Sequence, residues 1–163
     1  MSKKFEIKPA VKQDIPVILK FIKDLAEYEK LAHEVTAAES DLERFLFGNH
    51  PSAEVIIGYL DDTPVSFALF FHNFSTFLGY PGIFIEDLFV LPEARDQEIG
   101  QTMLAYIAHL AIKRSCKRLE WRVLDWNEHA IGFYRSIGAK PLPDWTIYRM
   151  TDTALDMLAK EWQ

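Results

Sequence analysis

From residue 55 to residue 91 three strand-type segments follow one another with no helical period between them, and this run constrains the fold more than any other feature. Residues 55–60 and 64–71 flank Asp61-Asp62-Thr63, a turn cluster, and predict a hairpin. Residues 82–91 are a third, strongly apolar strand, broken only by Glu86 and Asp87 and ended by Pro92, which cannot donate to a continuing ladder. Three strands joined this closely must pair antiparallel, so what precedes and follows them has to cover a sheet.

The flanking segments supply that cover. Phe5-Glu6-Ile7-Lys8 alternates and reads as a short strand. From about Asp14 to Leu31, the residues Ile15, Ile18, Leu19, Ile22 and Leu25 keep the spacing of one apolar helical stripe. Thr36 and Glu39 form a capping-box pattern ahead of a second helix ending near Gly48. After the hairpins, residues 99–113 are helical by the spacing of Met103, Leu104, Ile107 and Ala111, and residues 119–124 form a strand. Asn127 suits the N-cap of a helix running to Ile137, with Gly138 beyond it. Residues 146–150 read as a last strand and 154–162 as a terminal helix. Hairpins first and strand–helix alternation later predict an α/β (α+β) fold: a mixed, mostly antiparallel sheet with helices on both faces.

Size and composition limit function. A chain of 163 residues is expected to form a single domain spanning 1–163. Its 49% hydrophobic and 26% charged content is that of an ordinary globular protein, and its net charge of −6 argues against a nucleic-acid partner. Cys116 is the only cysteine, which removes an intrachain disulfide and any cysteine-based zinc site. Histidines 33, 50, 72, 109 and 129 lack paired ligand spacing, so no metal is expected. No apolar run approaches the ~20 residues of a membrane span. The expectation is a cytoplasmic protein with no membrane partner.

Three constellations carry chemistry. Glu86 and Asp87 are adjacent acids inside an apolar strand, where alternation sends neighbours to opposite faces unless the strand ends or bulges. Ala130 and Tyr134 share a helix face behind Asn127, where a tyrosine hydroxyl can give a proton or simply pack. The segment from Leu91 to Gly100 joins a strand to a helix start, whose unpaired N–H groups suit an anion. Lys113, Arg114, Lys117 and Arg118 complement a helix C-terminus and read as structural.

In this order the constellations resemble the GNAT superfamily of acyl-CoA N-acyltransferases. Within it the chain is most similar to the spermidine/spermine and thialysine N-acetyltransferase group. The resemblance runs from Ile7-Lys8-Pro9-Ala10 and Leu25-Ala26-Glu27-Tyr28-Glu29 through Phe84-Ile85-Glu86-Asp87-Leu88-Phe89-Val90. It goes on through Leu124-Asp125-Trp126-Asn127-Glu128, Phe133-Tyr134 and Gly138-Ala139.

The resemblance implies transfer of acetyl from acetyl-CoA, without a metal, to a primary amine of a small di- or polyamine or a lysine-like amine. It implies backbone contacts from Leu88, Phe89 and Val90 to the pantetheine arm. It also implies a pyrophosphate cradle from Arg95, Asp96, Gln97, Glu98, Ile99, Gly100 and Gln101, with Asn127 and Ala130 contacting the coenzyme. Glu86 would take the ammonium proton, directly or through water, and Tyr134 would protonate the leaving thiolate. Tyr28, Glu29, Glu86, Asp87, Glu120, Trp121 and Arg122 would line the amine site. A homodimer is implied as well.

The loop departs from the family pattern at one place, where Glu98 stands for the central glycine. Either its side chain turns to solvent and the cradle survives, or it crowds the phosphates and leaves a catalytically impaired binding protein. A protein N-acetyltransferase is the remaining alternative.

Overall fold

The computed structural model describes residues 2–162, with the backbone alone at Asp96 and Gln97. The chain clusters into two compact units, Met1–Leu124 and Asp125–Gln163.

The first unit is built on one five-stranded sheet in simple sequence order: β1 (Phe5–Pro9), β2 (Glu54–Leu60), β3 (Thr63–Ser75), β4 (Tyr80–Val90) and β5 (Leu119–Trp121). Neighbours from β1 to β4 run antiparallel, and β5 joins β4 in parallel. The β2–β3 turn is tight because Asp61 and Asp62 both take positive φ, 48° and 64°, the mirror-image turn whose twist matches the strands. The mixed sheet expected from the sequence is present.

Helices α1 (Ile15–Tyr28) and α2 (Glu39–Leu46) cover one face. There Ile15, Ile18, Phe21 and Leu42 pack on Val55, Ile57, Phe67 and Phe89, and Phe21 stacks on Phe67 at 5.2 Å between ring centroids. The alternate residues Ala68, Phe70, Ile83 and Ile85 are buried on the other face, and Ile99, Met103, Leu104 and Ile107 of α3 (Ile99–Lys113) are buried with them. Arg114 closes α3 onto β2 through a two-pronged pair with Glu54, at 2.6 and 2.9 Å.

Several boundaries differ from the sequence expectation. Helix α1 stops at Tyr28 rather than near Leu31, because Lys30 takes a left-handed φ of 61° and the Leu31 N–H turns back to the Ala26 carbonyl at 2.8 Å. The Thr36–Glu39 capping box does not form. Ala38 is the N-cap of α2, and the Asp41 carboxylate accepts from its N–H at 2.9 Å. The fifth strand ends at Trp121 instead of Leu124, for a reason that lies in β4.

The second unit holds α4 (Glu128–Ser136) and α5 (Asp152–Ala159). The expected strand at 146–150 is not a strand. Alternation alone does not make one; a ladder partner is needed, and the described residues of this unit contain no strand to offer it. None of its described residues is buried.

Candidate functional site

The site begins with an irregularity in β4. Along the β3–β4 ladder Leu69 faces Asp87 and Phe70 faces Ile85, so Glu86 is an extra residue without a partner, a β-bulge. The bulge places Ile85 on the α3 face and Asp87 on the α1 face, beside Phe84 and Phe89, and leaves Glu86 exposed. Pairing with β5 stops just before it, at Ile85 opposite Trp121. Beyond that point the β5-side edge of β4, from Glu86 to Val90, has no strand alongside it among the described residues. This is why the fifth strand is short.

Charge collects at the bulge. Arg122, just past β5, donates through Nη2 to Glu86 Oε1 at 2.8 Å, and its guanidinium lies 5.5 Å from the Phe84 ring centroid. Asp87 is half-buried, and no described residue donates it a hydrogen bond. Burial pushes its carboxyl up to about 6, helped by the negative charges of Glu86 and Glu29 and opposed by Arg122. Glu29, one residue past α1, is raised by burial too, with Arg122 again opposing. The structure therefore gathers Glu29, Glu86, Asp87 and Arg122 into one electrostatic cluster. Glu120 shares the face of Phe84, its pairing partner, but is engaged by Arg118 at 2.8 Å and by the Asn73 amide at 3.1 Å. Trp121, half-buried, faces the other way by alternation.

An aromatic wall adjoins the acids. Tyr28 and Phe89 lie 6.4 Å apart between ring centroids, and the Arg95 guanidinium sits over both, at 4.6 and 5.4 Å. Arg95 Nε also donates to the Val90 carbonyl at 3.0 Å. The arginine thus fastens the loop to β4. Leu88 and Val90 are half-buried on the α3 face, on either side of buried Phe89.

The loop itself is a 3-10 segment, Pro92–Gln97, which delivers Glu98 in the left-handed conformation (φ 55°, ψ 19°) as the N-cap of α3. Glycine suits such a position because any Cβ is strained there. Glu98 is exposed and makes no side-chain bond to the helix start. Its carbonyl takes the Thr102 N–H at 3.0 Å, while the N–H groups of Ile99, Gly100 and Gln101 precede the first helical bond. Among the described residues a Cβ on Gly100 would meet only Val90 Cγ2, at 3.7 Å, so their packing does not demand glycine there. The side chains of Asp96 and Gln97 lie outside the described residues.

In the second unit Asn127 caps α4, its side-chain oxygen accepting from the Ala130 N–H at 3.3 Å. Tyr134 lies one turn beyond Ala130, 5.7 Å from the Phe133 ring, and its carbonyl accepts from Ala139 at 3.0 Å. Gly138, with φ 92°, ends the helix as expected. Among the described residues no cluster of His, Cys, Asp or Glu could hold a metal ion, and no helix is long and apolar enough to cross a membrane.

Sequence reasoning found the acids but not their arrangement. The bulge needs the β3 register to be seen, and the Arg122–Glu86 pair joins residues far apart in the chain. Of the two residues that hold Glu120, Asn73 carries no sequence signal, and Arg118 reads from the sequence only as a structural cation at a helix end.

Comparison with known proteins agrees with this architecture. The sequence pattern of the acetyltransferase (GNAT) family matches residues 20–139. A thialysine N-epsilon-acetyltransferase of Bos taurus is 33% identical, over 94% of this chain and 96% of its own length. The L-ornithine N5-acetyltransferase NATA1 of Arabidopsis thaliana is 29% identical, over 94% and 87% respectively. Among solved structures, an integron cassette protein from the mobile metagenome of V. cholerae superposes with a TM-score of 0.80 at 30% identity, covering 98% of this chain and 99% of that one. With the family pattern spanning most of the chain and relatives aligned along nearly all of it, the protein belongs to the acetyltransferase (GNAT) family and is an acetyltransferase.

Proposed function

We propose that the protein transfers the acetyl group of acetyl-CoA to a primary amine of a small di- or polyamine or a lysine-like amine. The observation that carries this reading is the carboxylate cluster Glu29–Glu86–Asp87, set where β4 parts from β5. The named relatives support it, since one acts on thialysine and one on ornithine.

An alkyl ammonium has a pKa of ~10.4, so about one molecule in 2,500 is nucleophilic at pH 7. Binding it among carboxylates gathers the cation, and one carboxylate must then take its proton. Glu86 fills that role, directly or through water, with its second oxygen, since the first is held by Arg122. The amine nitrogen bonds to the thioester carbonyl carbon, the C–S bond breaks, the thiolate takes a proton from Tyr134, and the nitrogen gives up its remaining extra proton to solvent, from which Tyr134 is reprotonated. A backbone N–H near Val90 faces the developing oxyanion.

Acetyl-CoA supplies the activated acyl group. The unpaired β4 edge from Leu88 to Val90 suits its amide-bearing arm, and the N–H groups of Ile99, Gly100 and Gln101 suit its pyrophosphate, with Asn127 and Ala130 adding contacts. The Glu98 side chain makes no bond to that helix start, which favours a working cradle over an impaired one. The protein works as a homodimer in the cytoplasm.

The purified protein, mixed with acetyl-CoA and a panel of amines, should give an acetylated amine by mass spectrometry. A folded sample that binds acetyl-CoA yet turns over no amine overturns the reading.

A further inference from the structure

If the acidic cluster receives the amine, as proposed above, one of its members has the sign of the substrate. Arg122 is permanently charged, pairs with Glu86 at 2.8 Å, and is kept in place by the Phe84 ring beneath it. Two other charged groups nearby are already committed. Glu120 on β5 is held by Arg118, and Arg95 on the loop is bound over Tyr28 and Phe89. Of the cations around Glu29 at the end of α1 and Asp87 on β4, only Arg122 acts on both.

We propose that Arg122 sets the charge of the amine the site accepts. Hydrogen-bonded to Glu86 and acting on Glu29 and Asp87 only through space, it leaves those two carboxylates without a directly paired cation among the described residues, and so selects a substrate with two ammonium groups over longer polyamines. A two-ammonium substrate neutralises both acids. A third ammonium must either displace the guanidinium from Glu86 or sit beside it as a like charge. Single charges at ~6 Å in a partly wetted site differ by about tenfold in binding, which is the size of the selection expected.

Turnover and calorimetric affinity are measured for a diamine, a triamine and a tetraamine of equal spacing, using wild type, Arg122→Ala, Arg122→Gln and Arg122→Lys. In Arg122→Ala and Arg122→Gln the triamine-to-diamine ratio of kcat/KM should rise about tenfold. The acid limb of the kcat/KM–pH profile should move upward, because the cation opposing protonation of Asp87 and Glu29 is gone. Arg122→Lys should return both readouts toward wild type, which a purely structural role would not predict. The Gln variant keeps side-chain bulk in place, so a folding defect confined to Ala leaves the test intact.

Turnover with an unchanged ratio and an unmoved limb in both neutral variants overturns this inference and leaves the transferase reading standing. Charge-selective binding that follows Arg122 without any acetylated product removes the transferase reading and keeps the inference. Neither binding nor turnover of any amine overturns both.

Discussion

The carboxyl of Asp87 is held up to about 6 by its half-buried position, with Glu86 and Glu29 adding their charges. An unfolded aspartate titrates near ~3.9. Below that pH the group is neutral in both states; as pH rises through about 6 the folded protein must carry a confined charge and loses stability. Asp87→Asn should therefore unfold at higher denaturant concentration than wild type at pH 8, by about 1–3 kcal/mol, with no gain at pH 4. The same variant should lose more than tenfold in acetyl transfer. A stability gap that does not grow with pH would show that Asp87 is not confined. The sequence pointed to this residue because adjacent acids in an apolar strand are costly, but it did not say which acid was inside. That depended on Glu86 being the extra residue at the bulge.

Among the elements, the joint between the loop and α3 carries a visible strain. Glu98 takes φ 55°, a conformation that disfavours any side chain by roughly 1–2 kcal/mol. Glu98→Gly should raise stability by about 1 kcal/mol in a denaturant titration, part of the relief being offset by glycine's larger backbone entropy. Its exposed carboxylate is screened by water, so acetyl-CoA affinity measured by calorimetry should change less than about threefold. A gain of tenfold or more would mean that the carboxylate opposes the phosphates. Helix α3 spans the residues its periodicity predicted, since it packs a single apolar stripe on a sheet already defined by hairpins. Helices α1 and α2 differ from expectation only at their ends, where Lys30 and Asp41 exert local backbone control that an apolar period does not register. The fifth strand is shorter than its sequence pattern because its length is set by the bulge in a different strand.

For the whole molecule, the homodimer is a prediction. Sedimentation at micromolar concentration should give a species of about twice the 18.9 kDa chain mass. A monomer at that concentration would remove the dimer from the proposal. The second unit gives the measurement a structural setting: Trp145, Ile147, Tyr148 and Trp162 are exposed, and the segment expected to be a strand at 146–150 is not one.

The sequence by itself determined the order of the elements apart from the strand expected at 146–150, the mixed sheet, the helix stripes, the acids at 86 and 87, the Asn127 cap and the family. The elements follow from short-range periodicity, the acids and the cap from residue types in their places, and the family from the resemblance of the motifs. The tertiary structure decided which acid is confined, where β5 lets go of β4, and that Arg122 reaches Glu86. Those facts depend on register and on contacts between residues distant along the chain, and an interaction that exists only when two strands meet leaves no local pattern in either one.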